Sequence, residues 1–376
     1  MRKILTLVGT RPELIKMSPV IKHFDEFTDH LLVHSGQNYD HGLRDVFFND
    51  LDIRLPDIYL DCYGSNPCEF IASVIDKSFS LFLRESPDAV LLYGDTNSCL
   101  SVIAAKRLKI PVFHFEAGNR CFDERVPEEL NRKVVDHLSD INFVLTEHAR
   151  RYLIAEGIKP DTIFKTGSHM PQIIFNQKTK ILSSNILANL NLLPYKYILV
   201  SAHREENVDI PANLNHLIDS LQSLANKYSL PIIVSTHPRT KSRLDSLAVK
   251  NLNPLIQFHQ PFAFSDYMKL QINSFCVLSD SGTLTEEASI LHFPAVMIRS
   301  CHERPEGFDE GVLIMSGLRS PEIIDAVNIC ISNRFDPESI LNDYYPTRDQ
   351  LVTDKILKSV CSYIDFINKT VWKKSV

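Results

Sequence analysis

The sequence predicts an α/β protein built as two doubly wound halves, each a parallel sheet covered by helices on both faces. Three observations predict it. Short apolar runs recur along the 376-residue chain and alternate with longer amphipathic stretches, the order expected of βαβ units. The runs are nearly all apolar rather than alternating, as strands buried on both faces are. The runs also form two series, separated at 167–195 by Gly167, Pro171, the polar and basic NQKTK and Pro194. We place the domain boundary near 168–180, with an N-terminal domain over 1–170 and a C-terminal domain over 171–346. In the closing segment, 347–376, Leu351, Ile356, Leu357, Val360, Ile364 and Ile367 keep helical spacing. They predict a helix packing back on the body.

Composition narrows the function classes. Lys and Arg number 40 against 46 Asp and Glu, a net charge of −6. That balance argues against an extended nucleic-acid or anionic membrane surface, which needs clustered positive charge. Apolar residues at 44% exclude disorder. No apolar run approaches the roughly 18 residues of a membrane span. The opening KILTLV is too short for a signal peptide and ends at Arg11 and Glu13 without a small-residue cleavage site. It reads as a buried first strand. The 8 cysteines form no CxxC pair and no metal spacing. Reduced thiols in a cytoplasmic protein without metal are expected.

The first series of strands is expected at 3–8, 30–34, 89–93, 111–115, 141–145 and 162–166, the second at 196–201, 230–235, 255–258, 275–279 and 294–298. Ligands of parallel sheets bind at the carboxyl ends of strands, so the residues that follow each run matter most. After 3–8 comes Gly9-Thr10-Arg11-Pro12-Glu13, with Lys16 one turn on. A glycine turn, a helix start and an arginine suit a phosphate, although an ordinary turn with a solvated arginine has the same residues. After 89–93 comes Gly94-Asp95-Thr96-Asn97, where Asp95 is either a helix N-cap or an acid–base group. Glu116 ends an apolar strand, where burial is costly unless the carboxylate is paired. Pro127 opens a helix whose first turn holds Glu128 and Glu129, with Arg132 placed at i+3 to pair with Glu129.

In the second half, His203 and Arg204 follow 196–201 and suit an anion, or His203 is a structural histidine. Asp280-Ser281-Gly282-Thr283 precedes a helix, again suited to phosphate. Glu286 or Glu287 is placed for ribose hydroxyls, while Thr283 with Glu286 also fits a capping box. Arg299 follows the last run, and Glu303-Arg304-Pro305-Glu306-Gly307 comes soon after. There is no GxGxxG fingerprint and no Walker loop. Together these residues fit an anionic ligand held by the second domain and carboxylate chemistry from the first.

The ordered motifs GTRPE with Lys16, GDT, EAGNR, PEELNR, AHREE, DSGTLTEE and ERPEG span essentially the whole chain. In them the sequence closely resembles the non-hydrolysing UDP-N-acetylglucosamine 2-epimerase family. The resemblance implies two Rossmann-like doubly wound domains facing across a cleft (GT-B-like), a UDP-sugar in that cleft, a homodimer, and neither metal nor nicotinamide. It implies phosphate contacts from Arg11, Ser281, Gly282, Thr283 and His203, ribose contacts from Glu287 and a nucleotide-side role for Arg299. It places Lys16, Asp95, Glu116, Glu129 and Arg132 around the sugar, with His203 beside them. The chain departs from the common branch, which reads EAGLRT, GHRRE, DSGG and GQH. Here stand Glu116-Ala117-Gly118-Asn119-Arg120-Cys121, Ala202-His203-Arg204-Glu205, Asp280-Ser281-Gly282-Thr283 and Gly36-Gln37-Asn38-Tyr39-Asp40. The last replaces a turn linked to an allosteric UDP-GlcNAc site in that branch. The form EAGNRCFDERVPEE resembles the branch that makes UDP-N-acetyl-L-fucosamine from UDP-2-acetamido-2,6-dideoxy-L-talose for capsule or O-antigen synthesis. The expected chemistry is elimination of UDP across C1–C2 and re-addition. The rivals are UDP-GlcNAc 2-epimerisation to the manno sugar, a B-type glycosyltransferase, a hydrolysing 2-epimerase and a UDP-sugar-binding regulator.

Overall fold

A computed structural model describes residues 1–37, 48, 51–236, 240–241, 243–244, 252–333, 343–344 and 351–374, with Glu205 described by its backbone alone. They form two compact units, Met1–Phe175 with Asp343–Val376, and Asn176–Asn342. Each is a doubly wound α/β domain, the fold class expected from the sequence.

In the first unit the described strands are β1 (Lys3–Val8), β2 (Asp29–His34), β3 (Ile58–Tyr59), β4 (Ala89–Tyr93), β5 (Val112–Phe115), β6 (Ile141–Val144) and β7 (Ile163–Lys165). All pair in parallel, in the order β3-β2-β1-β4-β5-β6-β7. In the second unit β8 (Ile198–Ser201), β9 (Ile232–Ser235), β10 (Ile256–His259), β11 (Cys276–Ser279), β12 (Ala295–Met297) and β13 (Ile314–Met315) pair in parallel as β10-β9-β8-β11-β12-β13. Counted within its own unit, that order is the 3-2-1-4-5-6 of dinucleotide-binding sheets.

The continuous apolar runs are explained by two cores per sheet. Along β1, Ile4 and Val8 face one cluster and Leu5 and Leu7 the other. The first cluster is closed by the helix Arg11–Phe27 through Met17, Val20, Ile21 and Phe24, and by the chain's last helix, Val352–Thr370. That last helix buries Val352, Ile356, Val360, Ile364 and Ile367 at the i, i+4 and i, i+3 spacing of one helical face. Residues 347–350 and 375–376 of the expected closing segment lie outside the described residues. The opposite face is covered by the helix Pro67–Glu85 and by residues 99–105. In the second unit, Ile198 and Val200 face a cluster with the helix Pro211–Tyr228, and Leu199 faces one with Leu284 and Ala288. The edge strands β3 and β13 were not expected from the sequence; each is 2 residues long, too short to show a period.

Two places in this topology matter. β1 and β4 are neighbours, and the chain leaves β1 toward β2 but leaves β4 toward β5. The loops at their carboxyl ends therefore diverge and leave a crevice. β8 and β11 form the same switch point in the second unit. Among the described residues no helix is long and apolar enough to cross a membrane.

Replacing Ile364, fully buried in the last helix, by Ala should destabilise the first unit by about 2–5 kcal/mol. Replacing Leu351, 51% exposed at that helix's N-cap, should stay within about 0.5 kcal/mol. Urea titration with probes in each unit measures both. Equal effects would break the assignment of this helix to the core.

Candidate active site

The first crevice opens with Gly9, where a Cβ would collide with the hydroxyls of Ser98 and Ser35. These two hydroxyls bond each other at 2.7 Å, so only glycine lets β1 end this close to the segment after β4. The helix Arg11–Phe27 follows Thr10, with Pro12 in its first turn. Glu13 folds back: its Oε2 accepts from the N–H of Gly9 and, at 3.1 Å, from that of Thr10. Its Oε1 accepts from the hydroxyl of Thr96, on the loop after β4. Glu13 thus ties the two diverging loops together. Burial pushes its carboxyl up to about 7, against the opposing pull of these donors. Arg11 is half-buried at the helix start, and Lys16 is buried one turn further on.

Three predicted residues meet in one ion-pair cluster. Arg132 donates through Nε to Asp95 Oδ2 at 2.8 Å and through Nη1 to Glu129 Oε2 at 2.9 Å. The second pair is the i+3 contact expected from the helix, which runs Pro127–Leu138. Asn131 holds the same loop by donating to the Asp95 carbonyl at 2.9 Å. Glu129 is fully buried and also accepts from the N–H groups of Cys121 and Phe122 at 3.1 and 3.2 Å. Burial alone would raise its carboxyl, but the Cys121 N–H and Arg132 hold it below the ordinary value.

Glu116 is the third carboxylate at these strand ends. It is half-buried just past β5 at φ 61°, a backbone region that disfavours non-glycine residues. Its oxygens accept from the Tyr93 hydroxyl and, at 3.1 Å, from Asn119 Nδ2. Beneath the 116–120 loop lies Asp136, fully buried. It meets His114 Nδ1 at 2.9 Å, Arg120 Nη1 at 2.7 Å and the Gly118 N–H at 3.2 Å. Arg120 continues through Nη2 to Glu156 at 2.6 Å. Burial would raise the Asp136 carboxyl, yet His114 and Arg120 bring it below its usual value.

The second crevice is organised by Asp280, 0% exposed after β11. It accepts from the backbone N–H groups of His203 and Arg204, both at 2.9 Å, and from Asn207 Nδ2 at 3.0 Å. His203 Nδ1 lies 3.1 Å from its other oxygen. Burial opposes the charge, but His203 and these donors push the carboxyl down to about 2. Asn207 extends the tie to the Ile298 carbonyl at 3.0 Å, linking the ends of β8, β11 and β12. Ser281 and Thr283 bond each other through their hydroxyls at 2.9 Å, and the helix Thr283–Leu291 starts there. Glu287 is buried and accepts from Gln271 Nε2 at 2.6 Å. Arg299, 1% exposed, is clamped by Glu303 at 2.8 Å and Glu206 at 3.0 Å. Burial would discourage its charge, but these carboxylates hold the guanidinium firmly protonated.

Two local expectations are corrected. The Thr283–Glu286 capping box does not form: Gly282 is the N-cap, with no side-chain cap bond, and buried Glu286 pairs with Arg304 at 2.5 Å. Asp95 is not an N-cap either; Thr96 precedes the short helical turn Asn97–Ser101, and Asp95 turns to Arg132. Of the divergent turn 36–40, residues 38–40 lie outside the described residues; Gln37 accepts from Ser98 Oγ at 3.0 Å. The sequence did not single out Glu13, Asp136 or Asp280 as organisers. Its signal for Asp280 was position, immediately after β11, and for Glu13 the first turn of the helix after β1; for Asp136, in the last turn of its helix, there was none. Among the described residues no group of three or more His, Cys, Asp or Glu is arranged to hold a metal ion.

Comparison with known proteins bears on this arrangement. A family model described as UDP-N-acetylglucosamine 2-epimerase matches residues 22–360. The structure of the UDP-N-acetylglucosamine 2-epimerase from Rickettsia bellii is 53% identical, with a TM-score of 0.92 over 100% of both chains. The crystal structure of the Methanocaldococcus jannaschii UDP-GlcNAc 2-epimerase, in complex with UDP-GlcNAc and UDP, is 31% identical. Its TM-score is 0.87, covering 96% of this chain and 99% of that one. The UDP-2,3-diacetamido-2,3-dideoxy-D-glucuronate 2-epimerase of Pseudomonas aeruginosa is 32% identical over 344 residues, 90% of this chain and 95% of its own.

Glu13 gives the protein a pH signature. The unfolded chain ionises it from about pH 4.5, while the folded protein keeps its proton until about pH 7. Its contribution is therefore complete below pH 4.5 and is lost as pH rises through 7. At 1.36 kcal/mol per unit, the loss is about 3 kcal/mol. In Glu13→Gln this decline should vanish: calorimetric stability of wild type minus variant should fall between pH 4.5 and 7.5. A flat difference would show that Glu13 is ionised throughout.

Proposed function

Because the chain belongs to the UDP-N-acetylglucosamine 2-epimerase family, and so to the isomerases, we propose that it inverts carbon 2 of a UDP-activated 2-acetamido sugar by eliminating and re-adding UDP. The observation that carries this is the set of carboxylates at the strand ends of the first unit, Asp95 and Glu129 joined by Arg132, and Glu116 bonded to Tyr93 and Asn119. The C2 proton of such a sugar is not acidic, because no carbonyl adjoins it. Elimination makes its removal feasible. One carboxylate takes the proton as the C1–O bond breaks, UDP departs with the electron pair, and a C1=C2 double bond forms. Return of a proton to the opposite face of C2, with re-formation of the C1–O bond, gives the epimer. Two faces require two acid–base groups, for which Asp95, Glu116 and Glu129 are the candidates. Lys16 and Arg132 balance charge beside them.

The second unit holds the leaving group in this proposal. The helix starting at Thr283 offers N–H groups and the positive end of its dipole to the diphosphate, with the hydroxyls of Ser281 and Thr283 and the bare Gly282 backbone. His203 and Arg11 add positive charge. Glu287 takes the ribose hydroxyls, and Arg299 anchors the nucleotide side. No cofactor enters these steps. The protein acts as a cytoplasmic homodimer.

For the sugar we propose UDP-2-acetamido-2,6-dideoxy-L-talose, converted to UDP-N-acetyl-L-fucosamine for capsule or O-antigen synthesis. Support comes from EAGNRCFDERVPEE, in place of the common branch's EAGLRT. The Pseudomonas relative, named for a diacetamido glucuronate substrate, supports substrate variation within the family. The alternative reading is epimerisation of UDP-GlcNAc, the ligand of the Methanocaldococcus complex, to the manno sugar.

In D2O, product formed with no acceptor present should carry deuterium at C2 and keep its UDP. A product without deuterium would rule out elimination, free sugar would favour the hydrolysing enzyme, and dependence on an acceptor would favour a transferase. Glu116→Gln, Glu129→Gln and Asp95→Asn should each lower kcat by about 10²–10⁴ for groups that transfer protons. Turnover of the 6-deoxy-L-talose substrate should exceed that of UDP-GlcNAc; the reverse order would select the common branch.

A further inference from the structure

We propose that Tyr93 and Asn119 are positioning residues for Glu116: each donates to one of its two oxygens, and together they keep the carboxylate ionised and aimed in one direction. This rests on the assignment of Glu116 as an acid–base group.

Tyr93 is the last residue of β4, and Phe115, beside Glu116, is its register partner on β5. The phenol therefore reaches Glu116 Oε2 across a single strand spacing. Its ring is 4% exposed and cannot swing away. Phe115 stacks on it at 6.5 Å and His169 packs against it at 5.6 Å. His169 is fixed in turn by its 2.9 Å bond from Nδ1 to the Lys16 carbonyl. The wall behind Tyr93 is thus tied to the helix that carries Lys16.

Asn119 is held just as firmly. It is 8% exposed, and its carbonyl accepts from Arg120 Nη1 at 2.7 Å. That guanidinium is locked by Asp136 and Glu156. The Asn119 amide, 3.1 Å from Glu116 Oε1, is therefore aimed by a buried network rather than by its own rotamer preference. The strained φ of Glu116 persists because both flanks of the loop are fixed in this way.

Donors to a carboxylate favour its charged form. Tyr93 and Asn119 are neutral, so they favour the anion without cancelling its charge, leaving it able to accept a proton. With one lone-pair direction on each oxygen occupied, the remaining directions are restricted. A base working on one face of a sugar requires that restriction.

The test uses full-length protein labelled with carboxyl-¹³C glutamate, with Glu116→Gln to assign the Glu116 signal. Tyr93→Phe keeps the ring and its packing; Asn119→Leu introduces the residue of the common branch. Each should raise the Glu116 titration midpoint by about one pH unit, the size expected when a bond to a charged group is lost. The acidic limb of the kcat/KM profile should move by the same amount, with KM for the UDP-sugar changed less than about twofold, as expected when binding contacts are untouched. Midpoints equal to wild type in both variants would overturn the proposal, as would a fall in thermal stability without any movement of the limb. If the wild type epimerises no UDP-sugar, the functional assignment fails, and the ¹³C midpoints still decide whether these two residues hold Glu116.

Discussion

Each sheet is closed at its switch point by one buried carboxylate that accepts backbone N–H groups from a βα loop. In the first unit this is Glu13, in the second Asp280. Leaving a carboxylate unpaired there would cost several kcal/mol. The loops must therefore bring their donors to it, and the crevice shape follows from that requirement. The two solutions differ in charge. Asp280 gathers two backbone N–H groups, an amide and the His203 ring, enough to hold it near 2. Glu13 gathers two N–H groups and one hydroxyl, with Asp95 as a nearby negative charge, and burial wins. Once protonated, Glu13 still keeps its tie to Thr96, because a threonine hydroxyl accepts as readily as it donates.

This contrast bears on how the first unit tolerates so many acids together. Asp95 and Glu129 share one arginine. A third ionised carboxylate at Glu13 would add to that negative charge. Raising Glu13 toward neutrality removes that excess while its backbone bonds remain. Glu129, held below its ordinary value by the Cys121 N–H and Arg132, then has one charge fewer against it.

The strands, their parallel order and the residues that follow them were legible because burial on both faces leaves a plain signature in the sequence. The runs around Leu5, Leu91 and Leu199 stay apolar as neighbouring side chains enter opposite cores. The Glu129–Arg132 pair was legible because it is local, three residues along one helix. Arg132 lies 37 residues from Asp95, Tyr93 lies 23 from Glu116 and His203 lies 77 from Asp280. No spacing rule reaches such distances; they depend on which strands become neighbours. The capping expectation at Thr283 failed for the same reason. A buried Arg304 offered Glu286 a stronger, charge-assisted partner than the helix start did.

The arginines of the second unit refine how an anion is to be held there. Arg299 is paired with Glu206 and Glu303, and Arg204 Nη2 lies 3.4 Å from Glu303. A Cβ built on Gly282 would stand 3.5 Å from Glu303 Oε2. An anionic group approaching this turn therefore meets a carboxylate, and Coulomb repulsion would exclude it unless Glu303 were neutralised first. Arg299 and Arg204 clamp Glu303 from two sides and supply that neutralisation. In the proposed function the attraction for a diphosphate at this turn then comes from the helix N-terminus, the small side chains of Ser281 and Thr283 and the added charge of His203 and Arg11, since Arg299 and Arg204 are engaged with Glu303. If UDP departs and returns at the same carbon as proposed, moderate grip is the better design: holding it too tightly would stabilise ground states as much as the transition state.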